Sequence, residues 1–85
     1  MSTRKKRIQK ILQNRKNVSF EEIDRVLRDF GYIPSQPAGG SSHFTYRKKG
    51  FVPITIPRKR PFIKEHYVKE VIRILDLEEW NEQDH

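Results

Sequence analysis

The sequence contains no cysteine, which excludes a disulfide framework, a thiol nucleophile and a thiolate metal site. It also lacks any continuous apolar stretch of the roughly 20 residues that a membrane-spanning helix needs. Polar residues interrupt the apolar ones that follow the basic start, so this segment does not fit the core of a signal peptide. We therefore expect a soluble, unprocessed protein of a reducing compartment, with the cytoplasm as the default location.

Metal ligands are sparse as well. The three histidines, His43, His66 and His85, have no ligand-like spacing and no cysteine to complete a coordination shell. No cluster of carboxylates is placed to hold Mg²⁺. We therefore expect no metal ion and no other cofactor, so any nuclease activity would be metal-independent.

Positive charge is abundant in this sequence. The 85 residues carry a net charge of +7, although five of the eleven acids lie within the last ten residues. Residues 1–75 hold all 18 Lys and Arg against six acids, a net charge of +12. A body this basic attracts polyanions, which makes nucleic acid the expected partner. The alternative is that the charge only keeps a small domain soluble.

Three segments have helical periodicity. Residues 3–14 carry a narrow apolar stripe opposite a strongly basic face. Residues 19–30 open with the Ser19 and Glu22 of a capping box, and a glycine follows where a left-handed cap is favoured. Residues 66–76 have a second amphipathic pattern. We expect one helix in each segment.

Between residues 32 and 57 the period changes to two, which is typical of strands. Two prolines in residues 32–37 allow only a short or irregular edge strand there. In residues 42–47 two aromatic residues alternate with the polar residues His43, Thr45 and Arg47. A glycine-containing turn then leads to residues 52–57, where three aliphatic residues share a face: Val52, Ile54 and Ile56.

This order of elements predicts an α+β fold. We expect helices packed on one face of a three-stranded antiparallel sheet, with an extra N-terminal helix. The buried face of the sheet would carry Phe44, Tyr46, Ile54 and Ile56, which leaves His43 on the open face. Residues 1–85 would form a single domain, in which residues 17–76 make up the main segment between the basic N-terminal helix, residues 3–14, and the acidic tail. The acidic tail, residues 77–85, would be mobile apart from the anchor Trp80.

The run AGGSSHF precedes the middle strand. Gly39 and Gly40 remove side chains, so backbone N–H groups can approach an anion, while Ser41 and Ser42 add hydroxyl donors. His43 follows, and an ordinary histidine pKa of about 6.5 suits proton transfer at a ribose 2′-hydroxyl or a leaving 5′-oxygen. The same pattern also fits a flexible turn before a surface histidine, and the residues alone leave both interpretations open.

Two basic clusters adjoin this loop in the predicted sheet. One continues the middle strand and the other leaves the last strand, so both are candidates for binding an RNA backbone. Their members are Arg47, Lys48 and Lys49 in the first, and Arg58, Lys59 and Arg60 in the second. Charged residues are also common at hairpin ends and strand exits, which is the structural alternative.

Aromatic rings are a further candidate, because exposed rings can stack on unpaired bases. Three rings are considered for this role: Phe51, Phe62 and Tyr67. We expect Phe62 and Tyr67 to lie in the core or to cover the last helix, and we assign none of the three to RNA. His66 is expected to face solvent at the start of that helix.

The succession VSFEEIDRVLRDFGY, GGSSHFTYR and PITIPRKRPFIKEHYVKEVIRIL resembles the HicA toxin family, small mRNA interferases of bacterial type II toxin-antitoxin pairs. The resemblance covers about residues 17–75. The matching positions are Ser42 and His43, then Thr55, Ile56 and Pro57, then Tyr67 and Val68. It implies a double-stranded-RNA-binding-domain-like fold, His43 as the catalytic residue, and a HicB-type antitoxin that covers the site. Ser41 stands where the commonest form of the family has glycine.

Together these features predict a metal-independent endoribonuclease toxin that cleaves mRNA with His43. The phosphate would be bound by Gly40, Ser41 and Ser42 together with the two basic clusters. We expect the free toxin to be monomeric. Two alternatives stay open: a non-catalytic RNA-binding module, and a remnant that has lost activity and only binds its partner.

Overall fold

A computed structural model describes residues 3–35 and 42–80. The elements, in chain order, are α1 (Thr3–Gln13), α2 (Phe20–Asp29), β1 (Ile33–Ser35), β2 (His43–Arg47), β3 (Ile54–Pro57) and α3 (Glu65–Leu75). The strands form one antiparallel sheet in the order β1-β2-β3. The predicted α+β class, with three helices and a three-stranded antiparallel sheet, is confirmed. Within the described ranges, none of the helices has the length and apolar character that a bilayer crossing needs.

Both ends of α2 form as the sequence predicts. The Glu22 N–H donates to Ser19 Oγ at 3.2 Å, and the Ser19 N–H donates to Glu22 Oε1 at 3.0 Å, which completes the capping box. At the other end Gly31 has a φ of +92°, a left-handed conformation that glycine adopts easily. The N–H groups of Gly31 and Tyr32 each donate to a carbonyl in the last turn of α2, at 3.0 Å.

The sheet has one buried face and one open face. Tyr46, Ile54 and Ile56 are buried in the same apolar cluster as residues of all three helices, and half-buried Phe44 packs against it. The rings of Phe44 and Phe20 lie 5.2 Å apart, which joins β2 to the start of α2. Of the residues that alternate with these along β2, His43 and Arg47 are exposed and Thr45 is half-buried. The predicted alternation along β2 is therefore confirmed.

The prediction for Val52 is wrong. Ile54 and Ile56 are buried as expected, but Val52 is 77% exposed and lies before β3 begins at Ile54. The intervening Pro53 has no N–H to donate to a ladder, so the strand starts after it. Val52 belongs to the hairpin connection instead, beside the turn in which the Phe51 N–H donates to the Lys48 carbonyl at 3.0 Å.

A buried tyrosine links the sheet to α2. The Tyr46 hydroxyl donates to Asp24 Oδ1 at 2.6 Å, and Arg28 Nε donates to the other oxygen of that carboxylate at 3.0 Å. Burial, reinforced by the hydrogen bond to the Asp24 carboxylate, raises the pKa of Tyr46 far above its usual value near 10. The contact therefore stabilises the fold with Tyr46 in its neutral form.

The two ends of the described chain pack together against the core. Ile8 and Ile11 of α1 are buried, and Arg7 Nη1 donates to Asp29 Oδ2 at 2.7 Å. Beyond α3, Leu77 is 1% exposed, an anchor that the sequence did not single out beside Trp80. Residues 81–85 of the acidic tail, for which mobility was predicted, lie outside the described residues.

Candidate nucleic-acid interface

His43 lies at the start of β2 with an exposed side chain. It pairs with Pro57, the last residue of β3. One position further along, the Arg58 N–H donates to the Ser42 carbonyl at 2.7 Å. The chain that leaves β3 is therefore held beside the residue that precedes His43, and the basic residues after Pro57 begin next to it.

The segment that follows brings the start of α3 to the same place. Buried Ile63 donates its N–H to the Val18 carbonyl at 3.0 Å, which fixes the connector against the start of α2. Lys64 then occupies the N-cap position of α3, and no side chain of the described residues caps the helix there. The first N–H groups of a helix lack intrahelical acceptors and carry partial positive charge, so this end of α3 favours an anion.

A cavity of about 200 Å³ lies between these segments. We call it the basic pocket, and its lining residues are Ser42, His43, Pro57, Lys59, Lys64 and Tyr67. Two ammonium groups and a histidine thus surround a space near the positive end of a helix, and none of the six residues is acidic. Phosphate is the group that such a combination binds, because it offers both negative charge and several acceptor oxygens.

The structure separates the two basic clusters. Lys59 lines the basic pocket, exposed Arg58 adjoins it, and Arg60 lies 3.7 Å from a Glu21 carboxylate oxygen at the surface. The other cluster, Arg47 to Lys49, lies at the opposite end of β2, about 13 Å along the strand from His43. Only the second cluster is therefore brought to the histidine.

Neither Lys64 nor Tyr67 was predicted to bind RNA, yet both line the basic pocket. Lys64 was not selected, although a lysine at an uncapped helix start is a recognisable signal for an anion site. Tyr67 was expected to lie in the core or to cover the last helix, and it is half-buried, with its ring centroid 4.0 Å from that of exposed His66. Phe62, by contrast, is 43% exposed, so it does not lie in the core.

Of the predicted phosphate-binding loop, Ser42 is described and exposed, while Gly40 and Ser41 lie outside the described residues. In residues 3–35 and 42–80, no three side chains among His, Cys, Asp and Glu come together as metal ligands would. The groups that the structure offers for binding a ligand at this site are therefore cationic and hydroxyl donors.

Comparisons with protein-family models, with curated proteins and with solved structures found no match for this chain. The basic pocket is thus interpreted through the chemistry of its own residues. Histidine, two lysines and a helix N-terminus form a site suited to a phosphodiester, with a group able to transfer a proton beside it.

Proposed function

We propose that this protein is a HicA-type toxin, a metal-independent endoribonuclease that cleaves mRNA and is neutralised by a HicB-type antitoxin. The observation that carries the proposal is the position of exposed His43 in a cavity with Lys59 and Lys64. Proton transfer and stabilisation of a phosphate charge are both needed to cleave RNA, and the basic pocket has a residue type for each.

The reaction would be a transesterification at phosphorus. The ribose 2′-oxygen attacks the phosphorus, its proton passes to a base, the bond to the 5′-oxygen breaks, and that oxygen receives a proton from an acid. The products are a 2′,3′-cyclic phosphate and a 5′-hydroxyl. His43 performs one of the two proton transfers, and Lys59 and Lys64 stabilise the negative charge that grows on the phosphate oxygens in the transition state.

The arrangement of elements also supports the proposal. Along the chain, the succession α2, β1, β2, β3 and α3 has one helix before and one helix after a three-stranded meander, as in the double-stranded-RNA-binding-domain-like fold that the resemblance implies. The open face of the sheet presents Arg47 and Thr45 along the strand from His43, so contacts to an RNA backbone can extend beyond the basic pocket.

The antitoxin would be recognised by charge. Residues 1–75 carry a net charge of +12, so an acidic protein would be attracted quickly to the same surface that binds RNA. Toxin and antitoxin would meet in the cytoplasm, where translated RNA is found. A neighbouring reading frame that encodes a small acidic protein, and copurification of that protein with this chain, would support this part of the proposal.

The deciding experiment compares the wild type with His43→Gln on a labelled transcript in EDTA. Glutamine keeps hydrogen-bonding groups but cannot exchange a proton near neutrality, so we expect the cleavage rate to fall by about 10²- to 10⁴-fold. Binding of the intact transcript, measured by gel shift, should persist. The matched control is His85→Gln, the same substitution at the last residue, which should cleave as the wild type does.

The alternatives give different results in this experiment. A wild-type protein that shifts the transcript but leaves it intact would identify a non-catalytic RNA-binding module. Cleavage by His43→Gln at the wild-type rate would remove His43 from the reaction. Loss of wild-type cleavage in EDTA, with recovery on adding a divalent cation, would contradict the metal-independent mechanism.

A further inference from the structure

A second and larger cavity, of about 670 Å³, lies between β3 and α3. We call it the groove. Its walls include Phe51, Val52, Ile54, Thr55, Tyr67 and Glu70. β3 is an edge strand of the sheet, so the groove runs along the outer side of the sheet, with α3 opposite. Its volume falls in the range of cavities that bind small organic groups.

The edge of β3 does not favour an added strand. Opposite residues in an antiparallel pair of strands alternate between hydrogen-bonded and non-hydrogen-bonded pairs. The hydrogen bond from the Arg58 N–H to the Ser42 carbonyl shows which pairs of β2 and β3 are hydrogen-bonded. Thr55 therefore forms a non-hydrogen-bonded pair with Thr45, and its backbone N–H and C=O point away from β2. On either side of it, Pro53 and Pro57 have no N–H to donate, so a peptide strand would find one backbone donor along this edge.

The walls of the groove are apolar and partly aromatic. Val52 is 77% exposed and Phe51 56% exposed, so both present surface that the fold leaves uncovered. The Phe51 ring is fixed by an edge contact with Tyr32, at 6.3 Å between centroids, and by the Lys48 ammonium 4.6 Å from its centroid. A ring held in this way can stack on a planar group with little loss of conformational freedom.

The charge within the groove differs from that of the basic pocket. The Glu70 carboxylate accepts a hydrogen bond from Arg73, and this bond lowers the pKa of Glu70, which keeps the carboxylate ionised. Arg73 also lines the groove and balances the charge of Glu70, but it bonds to only one oxygen of the carboxylate, so the other oxygen can accept from an N–H group. The groove therefore suits a planar group that carries N–H donors.

The groove and the basic pocket adjoin, because Tyr67 lines both. At the other end of the groove, Lys48 supplies a second positive charge beside Phe51. The groove thus lies between two positively charged regions, the basic pocket and Lys48. An RNA strand could place its phosphates at these two regions and turn one base into the groove.

We propose that the groove binds an unpaired nucleobase of the RNA strand whose phosphate occupies the basic pocket. The inference rests on the proposed function, since it takes RNA as the ligand. It adds that the protein binds single-stranded RNA, with the base beside Tyr67 and Phe51 and with the Glu70 carboxylate accepting from its edge.

The test is a coupling measurement with an eight-nucleotide RNA that carries a fluorophore. Affinity is measured by anisotropy with the His43→Gln variant, so that the RNA stays intact, and an abasic nucleotide is introduced at each position in turn. One position should weaken binding by about tenfold when its base is removed. Phe51→Ala should weaken binding of the unmodified RNA by a similar factor, and the abasic change at that position should then cost nothing further.

Two further variants make the result specific. Phe62→Ala removes an exposed ring that lies outside the groove. It should change neither the affinity for the unmodified RNA nor the abasic profile, by which we mean the loss of affinity at each position where the base is removed. Phe51→Leu keeps an apolar side chain at the hairpin and removes only the aromatic ring. It therefore tests base stacking even if the Phe51→Ala variant does not fold. Circular dichroism and thermal melting establish the folded state of each variant.

Each outcome separates this inference from the proposed function. RNA binding that is unaffected by Phe51→Ala, Phe51→Leu and every abasic position would overturn the base site and leave the groove to a protein partner, whether or not the wild type cleaves RNA. Coupling between one base and Phe51 would support the base site even where the wild type proves unable to cleave. If the His43→Gln protein binds no RNA in the anisotropy measurement, the inference is contradicted.

Discussion

The basic pocket and the groove meet at Tyr67, yet they are built from opposite chemistry. The basic pocket contains Lys59, Lys64 and the start of a helix, with no acidic residue in its lining. The groove contains aliphatic and aromatic surface and a carboxylate paired with an arginine. The first suits a phosphate of any nucleotide, whereas the second suits the apolar face and polar edge of a base.

This difference separates two properties that are easily confused in a basic protein. Contacts to phosphate set affinity and its dependence on salt, because each releases counterions, while contacts to bases set the preference among sequences. We therefore expect substitutions in the two sites to change different quantities. The groove between α3 and β3 would then set the sequence preference of this protein.

The largest effect should come from removing both lysines of the basic pocket. Lys59→Ala combined with Lys64→Ala should lower RNA affinity at low salt by at least about tenfold, because two charge-assisted contacts are lost. For a single-stranded RNA, the slope of log affinity against log salt should become shallower by about 1.4. The abasic profile should keep its shape, since the groove is intact. Anisotropy titrations at several salt concentrations measure both.

The matched control for this pair is Lys6→Ala combined with Lys16→Ala. Both lysines are exposed and line neither site, so the total charge changes equally while the basic pocket is untouched. A control that weakens binding as much as the Lys59 and Lys64 pair would show that the net charge of the protein, and not the basic pocket, holds the RNA.

A smaller effect, on stability and not on RNA binding, is expected from a substitution on the buried face of the sheet. Tyr46→Phe removes the hydroxyl that donates to Asp24, and it should lower the free energy of unfolding by about 1–2 kcal/mol at pH 7. RNA affinity and the abasic profile should not change, because Tyr46 is fully buried and lines neither site. Urea denaturation measures the stability, and anisotropy measures the binding.

The same substitution has a predicted pH dependence. Because the pKa of Tyr46 is raised in the folded state, its contribution to stability is fully present below its usual pKa near 10 and is lost as the pH rises above that value. The difference between the wild type and Tyr46→Phe should therefore be constant at neutral pH and shrink above pH 10. A difference that grows with alkaline pH would contradict this assignment.

The smallest effect is expected at the end of α3 that lies away from the basic pocket. Asp76 has a φ of 55°, a left-handed conformation that is less favourable for residues with a side chain than for glycine. Its negative charge also lies at the negative end of the helix dipole. Asp76→Gly should raise the free energy of unfolding by about 0.5–1 kcal/mol. Thermal melting measures this gain, and both RNA sites should be unaffected.

The conservative variant Asp76→Asn separates the two causes. Asparagine keeps a side chain of the same size but removes the charge, so it should recover only the electrostatic part of the gain. Equal stabilisation by Asn and Gly would show that glycine adds nothing beyond removal of the charge.

Much of the fold was predictable because its signals are local. The capping box of Ser19 and Glu22, the glycine at position 31 and the alternation along β2 each depend on residues a few positions apart. The prediction failed at Val52, where Pro53 interrupts the alternation and β3 begins later. Leu77 was missed because its burial depends on the meeting of both chain ends, which no local pattern records.

By itself, the sequence determined the class of the fold, the basic body and the exposure of His43, since periodicity and charge are properties of neighbouring residues. Only the tertiary structure decided which basic residues reach the histidine. It brought in Lys64 from the start of α3 and placed Lys48 and Lys49 at the far end of β2. The reason is geometric: a strand separates residues that are near in sequence, while backbone bonds such as that from Arg58 to Ser42 join segments that are far apart.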